Sequence, residues 1–373
     1  MELRSVRLGI YILNMPPNYK RSTLKDIAAE ANLSIAAVSM ALKNHPSLPA
    51  KTKDRVKKIA EELKYAPDPA LSALAAHRNR LRVQNNFSVI GFISNWNHPS
   101  EWTRLPSRQE VMEGTKNRAI ELGYTLQHFS ASEDAANPKR FSQILKTRGI
   151  RGIILAPFEN HKDELDLDWS AFSVVTIEKP ERYSFFHHIL PNQYAHYLLC
   201  WEKLRQRGYT RVGLVVRSDF ADRWSHQWEA AHLYAQSQME GTLDTIPILN
   251  LDKTDQTDTI RSWLLRYQPQ AVISRCDGFF EAAEAEGIKV PDDVGYVSLN
   301  VSDDKPGVSG IYQHRRTMGA TAVDVLNSLL QRNQRGPLDA SIGTQVNGSW
   351  RKGFSLPPIS EELISNSNTS TIE

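Results

Sequence analysis

The feature that most constrains this chain is the run from Thr23 to Asn44, TLKDIAAEANLSIAAVSMALKN. Thr23 and Asp26 form a Ser/Thr-x-x-Asp/Glu pattern, which caps the start of a helix, and Ser34 predicts the start of a second helix. Between them lies Asn32, which tolerates the left-handed backbone that ends many helices. The run therefore predicts two short helices joined by a tight turn, the geometry of a helix-turn-helix.

Apolar residues in this run occur at helical spacing. Leu24, Ile27 and Ala31 share one face of the first helix, and Val38 of the second helix is predicted to point back at that face. Ala28 is small enough for the two helices to cross closely. Any helical domain can contain such a pair, so the run alone leaves a purely structural role open.

The charge of the chain is unevenly distributed over its 373 residues. Residues 1–82 carry 15 Lys/Arg and 7 Asp/Glu, whereas residues 83–373 carry 30 and 35. A basic N-terminal part on an acidic body indicates a polyanion partner for that part, although a solvated basic face without a partner remains the alternative. Two cysteines and no apolar run of membrane-spanning length indicate a cytoplasmic protein without a disulfide framework.

A third helix and a hinge are predicted after the helix pair. The stretch 51–64 has an apolar stripe that includes Val56 and Ile59, and its Lys and Arg residues are available to DNA phosphates. PALSALAAHRNR then starts a helix of about two turns, which is marginal without a partner. Its Leu74 is a candidate wedge between base steps in the minor groove; alternatively, Leu71 and Leu74 pack on the body.

From Phe87 onward, short apolar β-rich runs alternate with amphipathic helices. This alternation predicts parallel sheets covered on both faces, and nearly 290 residues favour two doubly wound lobes. Ligands in that architecture bind at the carboxyl ends of the strands. The predicted strands lie at 88–93, 152–155, 173–177, 211–216, 271–274 and 295–299, and the predicted helices at 108–122, 138–147, 193–206, 223–238, 257–267 and 318–331.

With these parts in this order, the chain resembles the lactose-repressor/galactose-repressor (LacI/GalR) family of bacterial transcription regulators. The resemblance runs from about Thr23 to Leu356, and its most specific parts are the helix pair, KYAPDPALSALAAHR and EGIKVPDDVGYVSLN. It implies a homodimer with a helix-turn-helix headpiece, a hinge helix and a two-lobed α/β core like that of periplasmic sugar-binding proteins. Such a regulator binds a double-stranded DNA operator and responds to a small-molecule effector, here predicted to be a carbohydrate.

The predicted recognition helix departs from the family. Ala37 and Met40 stand where the family commonly has a polar Thr and an Arg, and Ile35 and Ala36 occupy positions that usually meet base edges. Such side chains contact thymine methyl groups rather than guanine, so we expect an operator that depends on those methyls and on DNA shape. The candidate DNA-binding residues are Thr23, Leu24, Ser34, Ile35, Ala36, Ala37, Ser39, Met40, Asn44 and Leu74.

Candidate effector ligands follow the predicted strands, since polyols are held by forked polar side chains and a stacked aromatic ring. Arg223 matches the family's effector-binding Arg, and Asn300 a position that often holds Asp. The family's usual Asn-Asp pair reads Arg275-Cys276-Asp277 here, which leaves the effector class open. Each candidate taken singly can equally be a helix cap or a surface ion pair. The candidates are Asn95, Trp96, Asp219, Arg223, Trp224, Asp277 and Asn300.

Other function classes leave little trace in the sequence. GxSxG, HExxH, P-loop and GxGxxG motifs are absent, so we predict no enzyme, no cofactor and no metal site. A sugar-binding transport protein and an architectural DNA-binding protein without an effector remain as alternatives. The sign of regulation also stays open, as does dimer against tetramer.

The predicted domain boundaries follow from these parts. The order is an N-terminal extension (1–21), the helix-turn-helix domain (22–66), the hinge helix and linker (67–82), the two-lobed effector-binding and dimerisation domain (83–357) and a disordered tail (358–373). The extension is either a flexible arm or an over-long start with Met15 as the initiator.

Overall fold

A computed structural model describes most of the chain, and the chain divides into two compact units. The headpiece unit comprises residues 1–82 with 331–333, and the core unit comprises 83–330 with 334–373. The predicted extension, the hinge helix with Leu74, and the tail all lie outside the described residues. The described residues are 22–45, 47–65, 88–96, 102, 104–134, 138–160, 163–179, 181–239, 245–252, 256–276, 278–301 and 307–357.

The described part of the headpiece unit consists of three helices around a hydrocarbon core. These helices are α1 (Leu24–Ala31), α2 (Ile35–Leu42) and α3 (Ala50–Glu62). Ile27, Val38 and Val56, one from each helix, have no exposed surface, and Ala28 is 5% exposed where α1 meets α2. The predicted helix pair and its third partner are confirmed.

The ends of the helix pair have the predicted caps. The backbone N–H and the hydroxyl of Thr23 both donate to the Asp26 carboxylate at 2.7 Å, so that carboxylate caps the start of α1. Asn32 ends α1 in the left-handed region at φ 52°. The Ser34 hydroxyl accepts the N–H of Ala37 at 3.1 Å and begins α2.

The described strands of the core unit form two six-stranded sheets. The strands are β1 (Ser88–Ser94), β2 (Tyr124–Ser130), β3 (Gly152–Leu155), β4 (Ser173–Ile177), β5 (His187–Pro191), β6 (Val212–Arg217), β7 (Leu249–Leu251), β8 (Ala271–Ser274), β9 (Gly295–Val301), β10 (Gly310–Tyr312), β11 (Gly343–Val346) and β12 (Ser349–Arg351). The first sheet has the order β11-β5-β4-β3-β1-β2, and the second has the order β12-β10-β9-β8-β6-β7.

Helices alternate with these strands, as the sequence pattern predicted. The described helices of the core unit are α4 (Pro106–Glu121), α5 (Ala131–Asp134), α6 (Pro138–Thr147), α7 (Gln193–Arg205), α8 (Ser218–Arg223), α9 (Gln227–Ser237), α10 (Gln256–Tyr267), α11 (Phe279–Ala285) and α12 (Arg315–Gln331). None of them is long and apolar enough to cross a membrane.

The structure corrects two details of the predicted core. The second sheet is not wholly parallel, because β12 pairs with β10 in the antiparallel direction. The helix predicted over 223–238 is interrupted between α8 and α9, where Ser225 and His226 adopt left-handed φ angles of 52° and 55°. This turn separates Arg223, at the end of α8, from the rest of the predicted helix.

Strand order in both sheets reverses at one place. The reversal lies between β1 and β3 in the first sheet and between β6 and β8 in the second. In doubly wound sheets this switch point opens a crevice at the carboxyl ends of the strands, where ligands bind. The residues that follow these four strands are therefore candidates for ligand contact.

The chain passes between the two sheets three times, after β5, β10 and β11. After the second passage, α12 packs on the first sheet, where Met318 and Leu326 join Ile90 and Phe92 in one buried cluster. The C-terminal part of the chain is thus built into the lobe whose strands come first.

Candidate functional sites

The outward face of α2 is apolar and accessible. Ile35 is 49% exposed, which is high for a large aliphatic side chain, and Ala36 beside it is exposed. Val38 and Ala41 face the headpiece core with no exposed surface. Of the other predicted DNA contacts, Thr23, Ser34 and Asn44 are exposed, and Leu24, Ala37, Ser39 and Met40 are half-buried.

The basic residues of α3 have two different environments. Lys51 and Lys58 are exposed and Lys53 is half-buried, so their ammonium groups are available to phosphates. Arg55 instead donates from Nη2 to the Ala31 carbonyl at 3.1 Å. That contact caps the C-terminal end of α1 and gives Arg55 a structural role beside any DNA contact.

Beyond the end of β4, a buried carboxylate contacts residues that follow strands of both sheets. Glu178 follows β4, has a φ of 67° and is 6% exposed. Its Oε2 lies 2.9 Å from Arg223 Nη1, and its Oε1 lies 3.9 Å from Arg315 Nη1. Arg223 also donates to the carbonyls of Phe158 and Glu159 at 2.9 and 2.5 Å, beyond the end of β3.

Arg315 occupies the passage from β10 into α12. It is 5% exposed, and its Nη2 donates to Gln313 Oε1 at 2.8 Å and to Asn300 Oδ1 at 3.3 Å. The guanidinium therefore contacts the second sheet through Asn300 and lies near Glu178, which follows a strand of the first.

Two more arginines, both half-buried, lie against aromatic rings. The Arg108 guanidinium lies 4.7 Å from the centre of the Trp96 ring and donates to the Pro157 carbonyl at 3.3 Å. The Arg275 guanidinium lies 4.0 Å from the centre of the Phe220 ring. No carboxylate in the described part of the chain forms an ion pair with either. Arg108, Arg223, Arg275, Arg315 and Glu178 are the arginine cluster.

The members of the arginine cluster act on one another electrostatically. Burial by itself raises the pKa of Glu178, but Arg223, Arg108 and Arg315 outweigh it and hold that pKa below its usual value. Burial lowers the pKa of Arg108 to about 10, opposed by Glu178. Burial, with repulsion from Arg315, lowers the pKa of Arg275 to about 9. Both guanidinium groups remain charged at neutral pH.

Two protein-family models match this chain, one in the headpiece and one in the core. A family model for bacterial regulatory proteins of the lacI family matches residues 23–68, and a periplasmic binding protein-like domain model matches 201–347. The chain belongs to the LacI family. It is therefore a LacI-family DNA-binding transcriptional regulator and not an enzyme.

Relatives of this regulator include a transcriptional repressor and a transcriptional regulator. The chain is 23% identical to the HTH-type transcriptional repressor PurR of Aliivibrio salmonicida, over 82% of the chain and 91% of the relative. It is 24% identical to the HTH-type transcriptional regulator GalR of Streptococcus thermophilus, over 87% of the chain and 98% of the relative. The similarity thus spans headpiece and core.

Solved structures share the fold at low sequence identity. The lac repressor dimer bound to operator and the anti-inducer ONPF aligns with a TM-score of 0.54 and 19% identity, over 91% of this chain and all of that one. The CelR–cellobiose complex aligns with a TM-score of 0.55 and 18% identity, over 90% of this chain and all of that one.

Within this LacI-family core, three of the predicted effector residues touch the arginine cluster. Arg223 is a member, Asn300 accepts a hydrogen bond from Arg315, and Trp96 stacks under Arg108. Asn300 lies inside β9 rather than after it. Their role in binding an effector stays a prediction.

The other predicted effector residues have different surroundings. The Asn95 amide donates to Asp163 at 3.1 Å, and Asp219 accepts both arms of the Arg217 fork at 2.7 and 2.6 Å. Trp224 is 5% exposed in the core of the second sheet, and its Nε1 has no hydrogen-bond partner among the described residues. Asp277 lies outside the described residues.

Sequence reasoning missed four members of the cluster. Glu178 and Arg275 each come directly after a buried strand, β4 and β8, and that position was the available signal. Arg108 lies in the first turn of α4, and Arg315 begins α12 shortly after the three-residue strand β10. A charged residue at a helix start carries little information by itself, because such positions are usually solvated.

Proposed function

We propose that this regulator binds a palindromic operator as a homodimer and that a small-molecule effector at the arginine cluster controls its affinity for that operator. The observation that carries the proposal is the contact of Arg223 with Glu178, which joins a residue that follows β4 of the first sheet to one beyond β6, a switch-point strand of the second. A ligand that contacts these groups contacts both lobes at once.

The operator half of the proposal is supported by the accessible face of α2. Ile35 and Ala36 present apolar surface at the start of the helix, where a recognition helix meets base edges. A two-fold symmetric protein matches a palindromic site, and the lac repressor, which shares this fold, was solved as a dimer bound to operator. We expect the regulator to act in the cytoplasm.

The effector half follows from linkage. A ligand changes operator affinity only by its different affinity for the two arrangements of the lobes. The structural relatives include a regulator in complex with cellobiose and one with bound ribose, and forked side chains such as Arg223 and Asn300 suit hydroxyl groups. A sugar or sugar derivative is therefore the proposed ligand class.

The test uses the full-length chain. Duplexes bound by the protein are selected from a random pool, and the selected sequence is then measured in gel shifts with and without a panel of metabolites. We expect a palindromic consensus whose affinity changes with one metabolite class. A protein that binds the selected duplex no better than a scrambled one contradicts the proposal.

A further inference from the structure

The arginine cluster contains more positive charge than its own carboxylate balances. Both oxygens of Glu178 are engaged, one by Arg223 at 2.9 Å and the other by Arg315 at 3.9 Å. Arg275 and Arg108 are left to aromatic rings and, for Arg108, one backbone carbonyl. Aromatic faces attract a guanidinium but do not neutralise it.

Nearby carboxylates in the described residues are committed elsewhere. Asp219 is held by both arms of Arg217. Glu110 accepts from the Tyr312 hydroxyl at 2.9 Å and lies 3.7 Å from Arg316. Glu159 is exposed, and its charge acts on Arg108 from a distance. Among the described residues, the four guanidinium groups of the cluster therefore have one buried carboxylate, Glu178, and one exposed carboxylate, Glu159, to balance them.

We propose that the effector of this regulator carries an oxyanion, a phosphate ester or a carboxylate on a small polyol, and that Arg275 and Arg108 bind it. This inference rests on the proposed control by a small molecule and narrows the ligand class from neutral sugars to anionic ones. Arg315 and Arg223 remain on Glu178 and form the wall of the site.

Chemistry favours an anion over a neutral sugar at this place. A guanidinium presents parallel N–H donors that match the two oxygens of a carboxylate or phosphate. The lowered pKa values of Arg275 and Arg108, about 9 and about 10, show that burial and mutual repulsion disfavour the cations. The negative charge of a bound oxyanion offsets that repulsion, whereas a neutral hydroxyl group does not.

One further buried hydroxyl directly precedes Arg275 in the chain. Ser274 ends β8 directly before Arg275, is fully buried, and its hydroxyl has no hydrogen-bond partner among the described residues. Burying a hydroxyl without a partner is unfavourable.

The experiment is isothermal titration of the full-length protein, with operator gel shifts in parallel. The probes are inorganic phosphate, glucose 6-phosphate, gluconate and glucose, each at low and high ionic strength. We expect an anionic probe to bind and glucose to bind at least tenfold more weakly, with anion affinity falling as salt rises. The affinity for glucose 6-phosphate compared with that for gluconate shows whether the site prefers a phosphate or a carboxylate.

Three variants locate the binding. Arg275→Gln should weaken binding of the anionic probe at least tenfold. Arg275→Lys keeps the charge but loses the pair of parallel N–H donors, so its affinity should lie between those of Arg275→Gln and the wild type. Arg205→Gln removes an exposed arginine of α7 and should leave the affinity for the anionic probe unchanged. Circular dichroism of each variant reports whether it is folded.

The outcomes separate this inference from the proposed function. If glucose binds as tightly as the anions and shifts operator affinity, with Arg275→Gln unaffected, the anionic site is wrong and small-molecule control stands. Anion binding that is equal in Arg275→Gln and Arg205→Gln also overturns the site. If no probe binds and operator affinity never changes, the inference fails together with effector control.

Discussion

The headpiece and the core of this regulator differ in what they bury. In the described headpiece, every buried side chain is hydrocarbon, and its lysines lie at the surface. The core buries Glu178 and Arg315 and several histidines. A buried ion pair is a weak source of stability compared with apolar packing. The contrast separates two uses of charge: the core withdraws Glu178 and Arg315 from water, whereas the described headpiece keeps its lysines at the surface.

The largest effect is expected from removing the one carboxylate of the arginine cluster. Glu178→Gln should lower the free energy of unfolding of the core by about 3–5 kcal/mol, because it leaves buried guanidinium groups uncompensated. Urea unfolding at neutral pH measures the loss. Added phosphate should recover part of it, if the proposed anion site is correct.

A surface pair in the same unit is the matched control. Glu113 lies 2.8 Å from Arg316 Nε, and both side chains are about half exposed. Glu113→Gln should therefore cost about 0–1 kcal/mol. Equal losses of unfolding free energy in Glu178→Gln and Glu113→Gln would show that the buried carboxylate contributes no more to stability than the exposed one.

Acid should destabilise the core and leave the headpiece unaffected. Burial lowers the pKa of His196 and of His232 to about 4, against about 6.5 in the unfolded chain. Between these values the unfolded state binds more protons, so the stability contribution is complete above about pH 6.5 and is lost as pH falls. Each of the two histidines should lower the free energy of unfolding of the core by about 2 kcal/mol when the pH falls from 7.5 to 5.

Urea unfolding at the two pH values checks this difference. His232→Gln should reduce the pH dependence by about half while keeping an acceptor for the Tyr197 hydroxyl, which contacts His232 Nδ1. A headpiece that loses stability over the same range would contradict the comparison, because no titratable side chain is buried in its described residues.

A smaller effect is expected at the operator. If the exposed Ile35 contacts a thymine methyl, uracil at that position should weaken binding by about 0.8 kcal/mol, the value of one buried methyl. In the Ile35→Ala variant the same uracil should have little further effect. Gel shifts with single uracil substitutions measure both, and thymines outside the half-sites are the control. Unchanged affinity at every position would refute the apolar recognition.

The smallest change concerns phosphate contacts. Lys58→Gln on α3 should reduce the slope of log affinity against log salt by about one, uniformly across DNA sequences. Lys116→Gln, at an exposed position of α4 in the core, should leave the slope unchanged. Titrations at several salt concentrations compare the two variants, and equal slopes would show that Lys58 makes no phosphate contact.

The fold was predictable wherever one signal dominated. β3, β4 and β8 match the predicted strands because each is a continuous apolar run. The strands β2 and β5 were missed because YTLQHFS and HHILP carry polar side chains that alternate or cluster. The break between α8 and α9 has no Gly or Pro to mark it.

The candidate site was less accessible to sequence reasoning. Arg223 was identified through the family resemblance, but Glu178 was not, because a lone glutamate after a strand usually belongs to a solvated turn. Its importance appears only when four arginines, from positions 108 to 315, are brought around it. Long-range charge convergence of this kind has no local sequence signature.

The three passages of the chain between the sheets have a consequence for biosynthesis. The first sheet receives its edge strand β11 only when residues 343–346 leave the ribosome, and its buried cluster lacks Met318 and Leu326 until α12 is made. The lobe whose strands are translated first is thus finished almost last. A nascent chain therefore contains the three headpiece helices α1, α2 and α3 long before either sheet of its core is complete.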